Sequence, residues 1–257
     1  MMRMSARHAL AVWRRNATMY GRTWKLNILP NFFEPVFYLT AVGVGVGAYI
    51  QEMGGMSYLE FLAPGLVCVA AMNGASYEAT YNVFVRLTFD KAYDAMLTTP
   101  IEPEDVLAGE ILWAVTRATI YGGAFFIILV LAGLAPLPQS ILALPAMLLS
   151  GLLFAALGVA FSFYIQTIDL FSFYFTLFLT PLFLFSDVFF PLEERLSPLW
   201  QWVAEALPLV HPVRLARSAF AGSISGPTAL WDVGYCVVLI AALIAFARRQ
   251  AYRRLTS

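Results

Sequence analysis

Residues 141–165 read ILALPAMLLSGLLFAALGVAFSFYI and contain no charged side chain. An apolar α-helix needs about 20 residues to cross the hydrocarbon core of a bilayer. This stretch is long enough to cross, and apolar stretches of similar length recur along the chain. The pattern indicates that a lipid bilayer, rather than water, surrounds most of the fold.

The composition of the whole chain agrees with this. Of the 257 residues, 60% are hydrophobic and 12% are charged, and the mean hydropathy is +0.73. A soluble domain carries about 25% charged residues, and a soluble chain of this size could not bury so much apolar surface. The formal net charge is zero, so no strong field indicates a nucleic-acid partner. We expect an integral membrane protein that binds lipid and no nucleic acid.

Six apolar stretches predict six membrane-spanning helices. They cover approximately residues 31–50, 59–84, 110–131, 141–165, 170–188 and 230–247. Each is close to the length that a spanning helix requires. The predicted fold is all-α and integral to the membrane, with one transmembrane domain over residues 1–257.

Residues 1–30 predict an amphipathic helix that lies along the membrane interface. Apolar and aromatic residues recur on one face at steps of three and four: Leu10, Trp13, Ala17, Tyr20 and Trp24. The remaining surface is basic and has no acidic residue; it carries Arg3, Arg7, Arg14, Arg15, Arg22 and Lys25. Aromatic rings opposite arginines suit a helix whose charges lie among lipid headgroups. Pro30 is expected to separate this helix from the first span.

The distribution of lysine and arginine predicts the orientation. Grouping alternate loops places twelve basic residues on one side of the membrane and three, Arg195, Arg214 and Arg217, on the other. Cytoplasmic loops carry the excess of basic residues. Both termini are therefore expected in the cytoplasm. This requires an even number of spans, which six satisfies. The chain is expected in the inner (cytoplasmic) membrane.

The cytoplasmic connection, residues 86–109, is too long to be a simple turn. Pro103 is followed by Glu104 and Asp105, which is typical of the first turn of a helix. Gly109 is expected to end this short helix before the third span. The sequence therefore predicts a short helix that carries acids on the cytoplasmic surface.

The outer connection, residues 189–229, contains two apolar stretches of about ten residues each. The first begins at Ser197 and Pro198, and the second begins at Pro212 and ends at Gly222, which are typical helix boundaries. Neither is long enough to span a bilayer. We predict a helical hairpin that re-enters the outer leaflet, with its backbone ends covered by protein.

No motif for catalysis or nucleotide binding is present. The chain lacks the patterns G-x-x-x-x-G-K-[ST], G-x-S-x-G and H-E-x-x-H. Cys68 and Cys236 lie in separate apolar runs without a partner at ligand spacing, which indicates buried thiols rather than a metal site. His8 and His211 fall on opposite sides of the predicted membrane. We expect no catalytic residue, metal or cofactor in this chain itself.

Acidic residues inside predicted spans are costly and often functional. Glu34 and Glu60 lie near the ends of spans, where exposure to the interface explains them. Glu78 lies deeper, within the polar run 73–82, which should face a protein interface or an aqueous cavity. Packing between helices and a place in a transport path are both open for Glu78.

The fifth predicted span is rich in aromatic residues, among them Phe171, Tyr174, Phe175 and Phe178. Aromatic rings pack against lipid and other helices. They also stack on the apolar faces of sugars, so this span could line the path of an amphiphile. Both interpretations are open.

Arg214 and Arg217 lie three residues apart and so share one face of the second hairpin helix. Ion pairs with Glu193, Glu194 or Glu205 would make the two arginines structural. Binding of a lipid phosphate is the functional alternative, because the guanidinium fork matches phosphate geometry.

This arrangement resembles the ABC-2 type permeases, the membrane subunits of ATP-binding-cassette exporters. The resemblance covers nearly the whole chain and rests on the basic interfacial helix, the cytoplasmic helix and the broken hairpin. Its most specific stretches are LTPLFLFSDVFFPL (179–192) and LPLVHPVRLAR (207–217). These stretches are similar to the branch of nodulation-factor (lipo-oligosaccharide), polysaccharide and drug exporters. Asp187 departs from that branch, in which a small residue is expected.

The resemblance implies a homodimer with two copies of a separate ATPase subunit, which would bind ATP and Mg. It also implies outward movement of an amphiphile: a lipo-oligosaccharide, a polysaccharide or a drug. The residues implied for coupling to the ATPase are Asp90, Lys91, Asp94, Pro100, Glu102, Pro103, Glu104 and Asp105. Candidate residues of the substrate path are Glu78, Phe171, Tyr174, Phe175 and Phe178, and those of a headgroup site or outer gate are Asp187, Arg214 and Arg217.

Two other functional classes are alternatives to an exporter permease. An intramembrane lipid-modifying enzyme would need Glu34, Glu60 or Glu78 to converge with a nucleophile or a metal, and the sequence offers no such cluster. A passive channel would need a ring of like charges or a filter sequence. Co-purification with a cassette ATPase would separate the permease from both.

Overall fold

The computed structural model describes residues 5–47, 49–50, 52–53, 55–191 and 198–256, without the side chains of residues 26–32, 34, 198 and 199. Nearly all regular structure in these residues is helical. The strands among them form one antiparallel pair, β1 (Glu52–Met53) and β2 (Met56–Ser57). The all-α prediction is confirmed.

The α-helices of the described residues are α1 (Ala6–Ala41), α2 (Tyr58–Tyr77), α3 (Ala92–Leu97), α4 (Pro103–Leu131), α5 (Leu144–Tyr164), α6 (Leu170–Phe173), α7 (Thr180–Leu184), α8 (Pro198–Glu205), α9 (Val210–Phe220) and α10 (Gly226–Leu255). Wider π-helical turns follow α1 (Val42–Val46) and α2 (Glu78–Asn82 and Val85–Phe89) and join α6 to α7 (Tyr174–Leu179). A 3-10 turn, Gln139–Ala143, precedes α5.

Four helical segments of the described chain are long and apolar enough to cross a membrane. They are Tyr58–Thr88, Pro103–Leu131, Gln139–Tyr164 and Gly226–Leu255, and they contain the predicted second, third, fourth and sixth spans almost completely. Shorter apolar helices, Pro35–Val46 and Leu170–Leu184, lie where the first and fifth spans were predicted.

The break predicted at Pro30 is wrong, because α1 runs without interruption from Ala6 to Ala41. A proline removes one backbone hydrogen bond from a helix. In apolar surroundings, however, the neighbouring backbone groups are still best satisfied within the helix. The predicted interfacial helix and the start of the predicted first span therefore form one continuous helix.

The break predicted at Gly109 is also wrong. The helix that begins at Pro103 continues through Gly109 as α4. Gly109 lies where α1 crosses α4, and a Cβ atom there would lie 2.5 Å from Cβ of Val12 and 2.8 Å from the carbonyl oxygen of Ala9. This glycine permits a close approach of two helices, which sequence position alone cannot distinguish from a helix end.

The two short helices of the outer connection, α8 and α9, form where they were predicted. After α9 the chain turns at Gly222, whose φ of +65° is a conformation that glycine adopts easily. Glu193 and Glu194, two predicted partners of the arginines, lie outside the described residues.

Helix α2 forms the centre of the fold and α10 lies at its edge. In the most apolar window of each spanning segment, 78% of residues are buried for Tyr58–Thr88 but only 17% for Gly226–Leu255. Helix α2 packs against both α4 and α5, whereas α10 packs mainly against α5. Much of the apolar surface of α10 is therefore left for lipid or for another protein chain.

Replacing Gly109 with alanine is expected to lower the free energy of unfolding by about 1–3 kcal/mol, because the added methyl group would overlap Val12 and Ala9. Gly123 lies on the same helix with no atom within 4 Å of an added Cβ, so Gly123→Ala is the matched control. Thermal unfolding followed by tryptophan fluorescence measures both variants. Equal stability of the two would contradict the close crossing of α1 and α4.

Candidate functional site

Four charged side chains meet where α2 leads towards α3. We call Glu78, Arg86, Glu110 and Arg117 the inner ion-pair cluster. A terminal nitrogen of Arg86 lies 2.8 Å from Glu78 and 2.8 Å from Glu110. Nε of Arg117 lies 3.5 Å from the second oxygen of Glu78. The cluster holds two positive and two negative groups, so its net charge is zero.

The turns that follow α2 bring two of these charges into the cluster. Glu78 lies in the π-helical turn Glu78–Asn82 and Arg86 in the turn Val85–Phe89. The side-chain amide of Asn82 donates a hydrogen bond of 2.8 Å to Glu78. Wider helical turns re-aim side chains and are frequent at functional sites, and here they direct polar groups towards α4.

Tyr93 of α3 is fully buried and lies beside Arg86 and Glu110 of the cluster. Burial and the nearby Glu110 carboxylate raise the pKa of the Tyr93 hydroxyl, so it stays protonated. Nε of Arg86 and Oε1 of Glu110 have no hydrogen-bond partner among the described residues. Buried polar atoms are rarely left unpaired. The hydrogen-bonding capacity of the cluster and of the neighbouring Tyr93 hydroxyl is therefore incompletely satisfied among the described residues.

This geometry bears on the two interpretations of Glu78. Its side chain is 5% exposed, and its oxygens face Arg86, Asn82 and Arg117. A carboxylate held in this way neutralises neighbouring charges and joins α2 to α4. The contacts favour the packing interpretation over a place in the substrate path.

The predicted ATPase-coupling residues divide into an exposed and an enclosed group. Asp90, Lys91, Asp94 and Pro100 are exposed around α3. Lys91 has a φ of 47°, a left-handed conformation that is uncommon outside glycine. It turns the chain sharply just before α3. The exposed group forms a polar surface, which we call the coupling surface.

The enclosed group stabilises the start of α4. Glu102 is the N-cap residue, Pro103 follows it, and the Asp105 carboxylate accepts a hydrogen bond of 3.1 Å from the backbone N–H of Glu102. Asp105 also accepts a hydrogen bond of 2.7 Å from the backbone of Ser5 and lies 3.2 Å from Nδ1 of His8. Asp105 therefore connects the beginning of α1 to α4. Its side chain is only 1% exposed, so it is not accessible to another protein.

Glu104 joins α4 to the end of α10. It forms an ion pair with Arg248 and accepts a hydrogen bond of 3.0 Å from the hydroxyl of Tyr252. Its side chain is only 10% exposed. Glu104 and Asp105 were predicted to face an ATPase, but their carboxylates are engaged within the chain.

A second group of charges joins the outer connection to the start of α10. We call Glu205, His211, Arg214 and Asp232 the outer clamp. Arg214 lies 2.5 Å from Glu205 and 2.5 Å from Asp232; the pair with Glu205 is one of those considered in the structural interpretation of this arginine. The hydrogen bond from Arg214 lowers the pKa of the Glu205 carboxyl. The clamp holds α8, α9 and α10 together.

His211 was not singled out from the sequence, although it is fully buried in the clamp. Its Nδ1 lies 2.8 Å from Asp232 and its Nε2 lies 3.0 Å from the carbonyl oxygen of Glu205. Its ring stacks on Tyr235 with the centroids 3.9 Å apart. One signal could have found it: Asp232 is an acid near the start of an apolar helix and therefore needs a partner.

Arg217 and Asp187 form a separate pair beside the clamp. Arg217 donates a hydrogen bond to the carbonyl oxygen of Asp187, and its Nε lies 3.5 Å from the carboxylate. The guanidinium lies over the ring of Phe61, 3.7 Å from the centroid, a favourable cation–π position. Asp187 has a φ of 59°. The pair fastens the turn after α7 to α9 and α2.

The aromatic residues of the fifth predicted span fall into two environments. Phe171 and Tyr174 are buried, and Tyr174 lies 3.2 Å from the hydroxyl of Ser76. Phe175 stacks on Tyr77. Phe178 instead lines an apolar cavity of about 520 Å3 between α7 and α8. The cavity is lined by Leu177, Phe178, Pro181, Leu182, Phe185, Trp200, Val203, Ala204 and Leu207.

Of the carboxylates that an intramembrane enzyme would need, Glu60 and Glu78 do not converge. Glu60 belongs to the capping box at the start of α2, together with Ser57. Glu78 lies in the inner ion-pair cluster, and the side chain of Glu34 lies outside the described residues. In the part of the chain that the structure describes, no group of three His, Cys, Asp or Glu residues could hold a metal ion.

Comparison with known proteins gives consistent matches. The family model of the ABC-2 type transporter matches residues 7–221. Nodulation protein J of Rhizobium leguminosarum bv. viciae is 33% identical over 247 residues, which cover 95% of this chain and 95% of the relative. The same protein of Rhizobium leguminosarum bv. trifolii is 35% identical over 83% of this chain and 81% of the relative. Inner membrane transport permease YadH of Escherichia coli (strain K12) is 26% identical over 96% of both chains.

Replacing Arg86 with methionine is expected to lower the free energy of unfolding by about 3–5 kcal/mol, because Glu110 loses its ion-pair partner in a buried site. Glu110→Gln in the same chain should recover part of the loss, since the stranded charge is then removed. Lys91→Met, at an exposed position, is the control. Thermal unfolding in one detergent measures all four proteins. A double variant no more stable than Arg86→Met would contradict the pairing.

Proposed function

This chain belongs to the ABC-2 type transporter family, and from that premise we propose that it is the permease subunit of an ATP-binding-cassette exporter. It moves an amphiphilic substrate outward: a lipo-oligosaccharide, a polysaccharide or a drug. The observation that carries the proposal is the coupling surface, an exposed polar segment placed directly against the buried charges that join α2 to α4.

The coupling surface is the proposed docking site for a separate ATPase subunit. Asp90, Lys91 and Asp94 are exposed, and Tyr93 between them is buried against the inner ion-pair cluster. A force applied to the surface can therefore reach the longer helices through the buried Tyr93 side chain and through Met96, which also packs on the core. Glu104 and Asp105 act differently in this proposal, because they join α4 to α10 and α1 rather than contact the ATPase.

We propose that two permease copies assemble with two ATPase subunits, which bind ATP and Mg. The exposed apolar surfaces of α10 and of the second half of α1, where Phe33 and Phe37 are exposed, support a membrane-embedded partner. Nucleotide binding would bias the pair between two conformations by its differential affinity for them.

The proposed topology has six spans, both termini in the cytoplasm and a re-entrant outer hairpin. Four long apolar helices, with two shorter apolar helices at the positions of the first and fifth predicted spans, support this count. Helices α8 and α9 are too short to span and are held by the outer clamp, which supports the hairpin. The similarity to YadH, an inner membrane transport permease, supports a place in the inner membrane.

The proposed substrate path runs along α6 and α7. Phe178 lines the apolar cavity, which suits the hydrocarbon part of an amphiphile. Tyr174 packs against Phe178 with the ring centroids 5.9 Å apart, and Phe175 packs against Tyr174. Phe171 is buried earlier on the same segment. Glu78 is left out of the path because of its ion pairs.

Asp187, Arg214 and Arg217 form the proposed outer gate. Each belongs to an ion pair on the outer side of the proposed topology, Arg217 with Asp187 and Arg214 with the outer clamp. Their pairing supports a gate held closed by charge contacts rather than a free site for a lipid phosphate.

Reversing two charges of the coupling surface, with Asp90→Lys and Asp94→Lys, is expected to weaken association with the ATPase about tenfold, equivalent to about 1.4 kcal/mol. The physical reason is a change of sign at an exposed contact surface. Asp169→Lys, an exposed acid of the other predicted cytoplasmic loop, is the control. Quantitative co-purification of the tagged permease measures the effect. Unchanged co-purification of the double variant would argue against this docking site.

Shortening two cavity side chains, with Phe178→Ala and Trp200→Ala, is expected to weaken binding of a fluorescent alkyl glycoside about tenfold, because apolar contact area is lost. Trp231→Ala, at an exposed position of α10, is the control. Fluorescence titration in nanodiscs measures binding. The free energy of unfolding, measured by thermal unfolding, should change by less than about 1 kcal/mol. If the double variant binds the glycoside as tightly as the control variant does, the cavity is not part of the substrate path.

A further inference from the structure

Four basic side chains form one stripe along the first half of α1. Arg7, Arg14, Arg22 and Lys25 are all exposed. With about 100° of rotation per residue, the four fall within about 80° of each other around the helix axis. We call these four residues the basic stripe. No ion pair joins them to an acid among the described residues, and α1 has no acidic residue between positions 6 and 25.

The rotation of the helix is fixed by its opposite face. Ala9, Val12 and Asn16 are buried there, and Gly109 of α4 allows the close contact. The indole N–H of Trp13 donates a hydrogen bond of 2.9 Å to Thr116. The stripe therefore points away from α4 in a fixed direction, and its charges are already aligned before any partner binds.

Apolar side chains flank the stripe on both sides. Leu10 and Trp24 are exposed on one side and Met19 on the other, each about half exposed. If this face of α1 were surrounded by water, these apolar side chains would be exposed to it. A lipid interface accommodates both kinds of group, because apolar side chains reach the acyl boundary while arginine and lysine reach the headgroups.

We propose that the basic stripe is a binding site for anionic phospholipid headgroups of the cytoplasmic leaflet. The inference rests on the proposed orientation, which places the start of α1 in the cytoplasm. Charge complementarity selects the ligand class, since each basic residue near an anionic membrane surface strengthens binding about fivefold. Because α1 is joined to α4 through Asp105, lipid bound at the stripe would also limit movement of the start of α4.

Native mass spectrometry of the purified full-length permease tests the proposal, with phosphatidylglycerol and phosphatidylcholine as the two probes. We expect more phosphatidylglycerol than phosphatidylcholine adducts on the unaltered protein. The variant R7Q/R14Q/R22Q/K25Q should lose at least about tenfold in phosphatidylglycerol affinity and keep its phosphatidylcholine adducts. The lysine variant R7K/R14K/R22K should retain phosphatidylglycerol, which separates loss of charge from loss of folding.

A second pair of variants tests whether any loss of positive charge, rather than loss of the basic stripe, lowers phosphatidylglycerol binding. R7Q/R14Q and R249Q/R253Q each remove two exposed arginines, from α1 and α10 respectively. A larger loss of phosphatidylglycerol in the first variant supports the stripe. An equal loss in both, or equal adducts of the two lipids on the unaltered protein, overturns it.

ATPase co-purification from the same cells keeps the two proposals apart. If the four-residue variant loses the ATPase but keeps phosphatidylglycerol, the stripe is a protein contact and the lipid site is wrong. If the unaltered chain retains phosphatidylglycerol at the stripe but never co-purifies with an ATPase, the lipid site stands and the proposed function fails.

Discussion

A charge buried among apolar helices must meet an opposite charge, and this requirement determines how the helices of this protein are joined. Isolated ions in such surroundings are very costly, so Glu78, Arg86, Glu110 and Arg117 are stable only as a set. The set requires α2 and α4 to adopt one relative position. The outer clamp imposes the same condition on α8, α9 and α10 through Arg214 and Asp232.

The same requirement decides which acids are available for a partner. Asp105 and Glu104 begin α4, where acids favour the helix dipole, but each also meets a neighbouring helix. The exposed charges lie earlier: Asp90 and Lys91 come just before α3, and Asp94 lies on this helix of only six residues. The segment that would bear an external force is therefore short. Asp105 and Glu104, which follow it in the sequence, connect the start of α4 to α1 and to α10.

The sequence predicted the elements of this fold better than their contacts. Apolar length located the long helices, and proline with acids located the start of α4. The breaks at Pro30 and Gly109 failed, because a local signal for a helix end does not reveal a neighbouring helix that makes continuation favourable. The apolar face predicted for the start of α1 was about a quarter of a turn away from the face that packs on α4, where Val12 and Asn16 are buried. Pairings such as His211 with Asp232 depend on distant segments, so no local pattern specifies them.

Ion pairs also distinguish rigid contacts from contacts that can slide. Breaking a buried pair costs about 3–5 kcal/mol, so α2 and α4 should move as one body, as should α9 and α10 through Arg214 and Asp232. Helices α7 and α8 meet instead across an apolar cavity, and no ion pair joins them among the described residues. Apolar surfaces can shift past each other without stranding a charge. A conformational change in this protein is therefore expected to cost least free energy at the contact between α7 and α8, where Phe178 and Trp200 line the cavity.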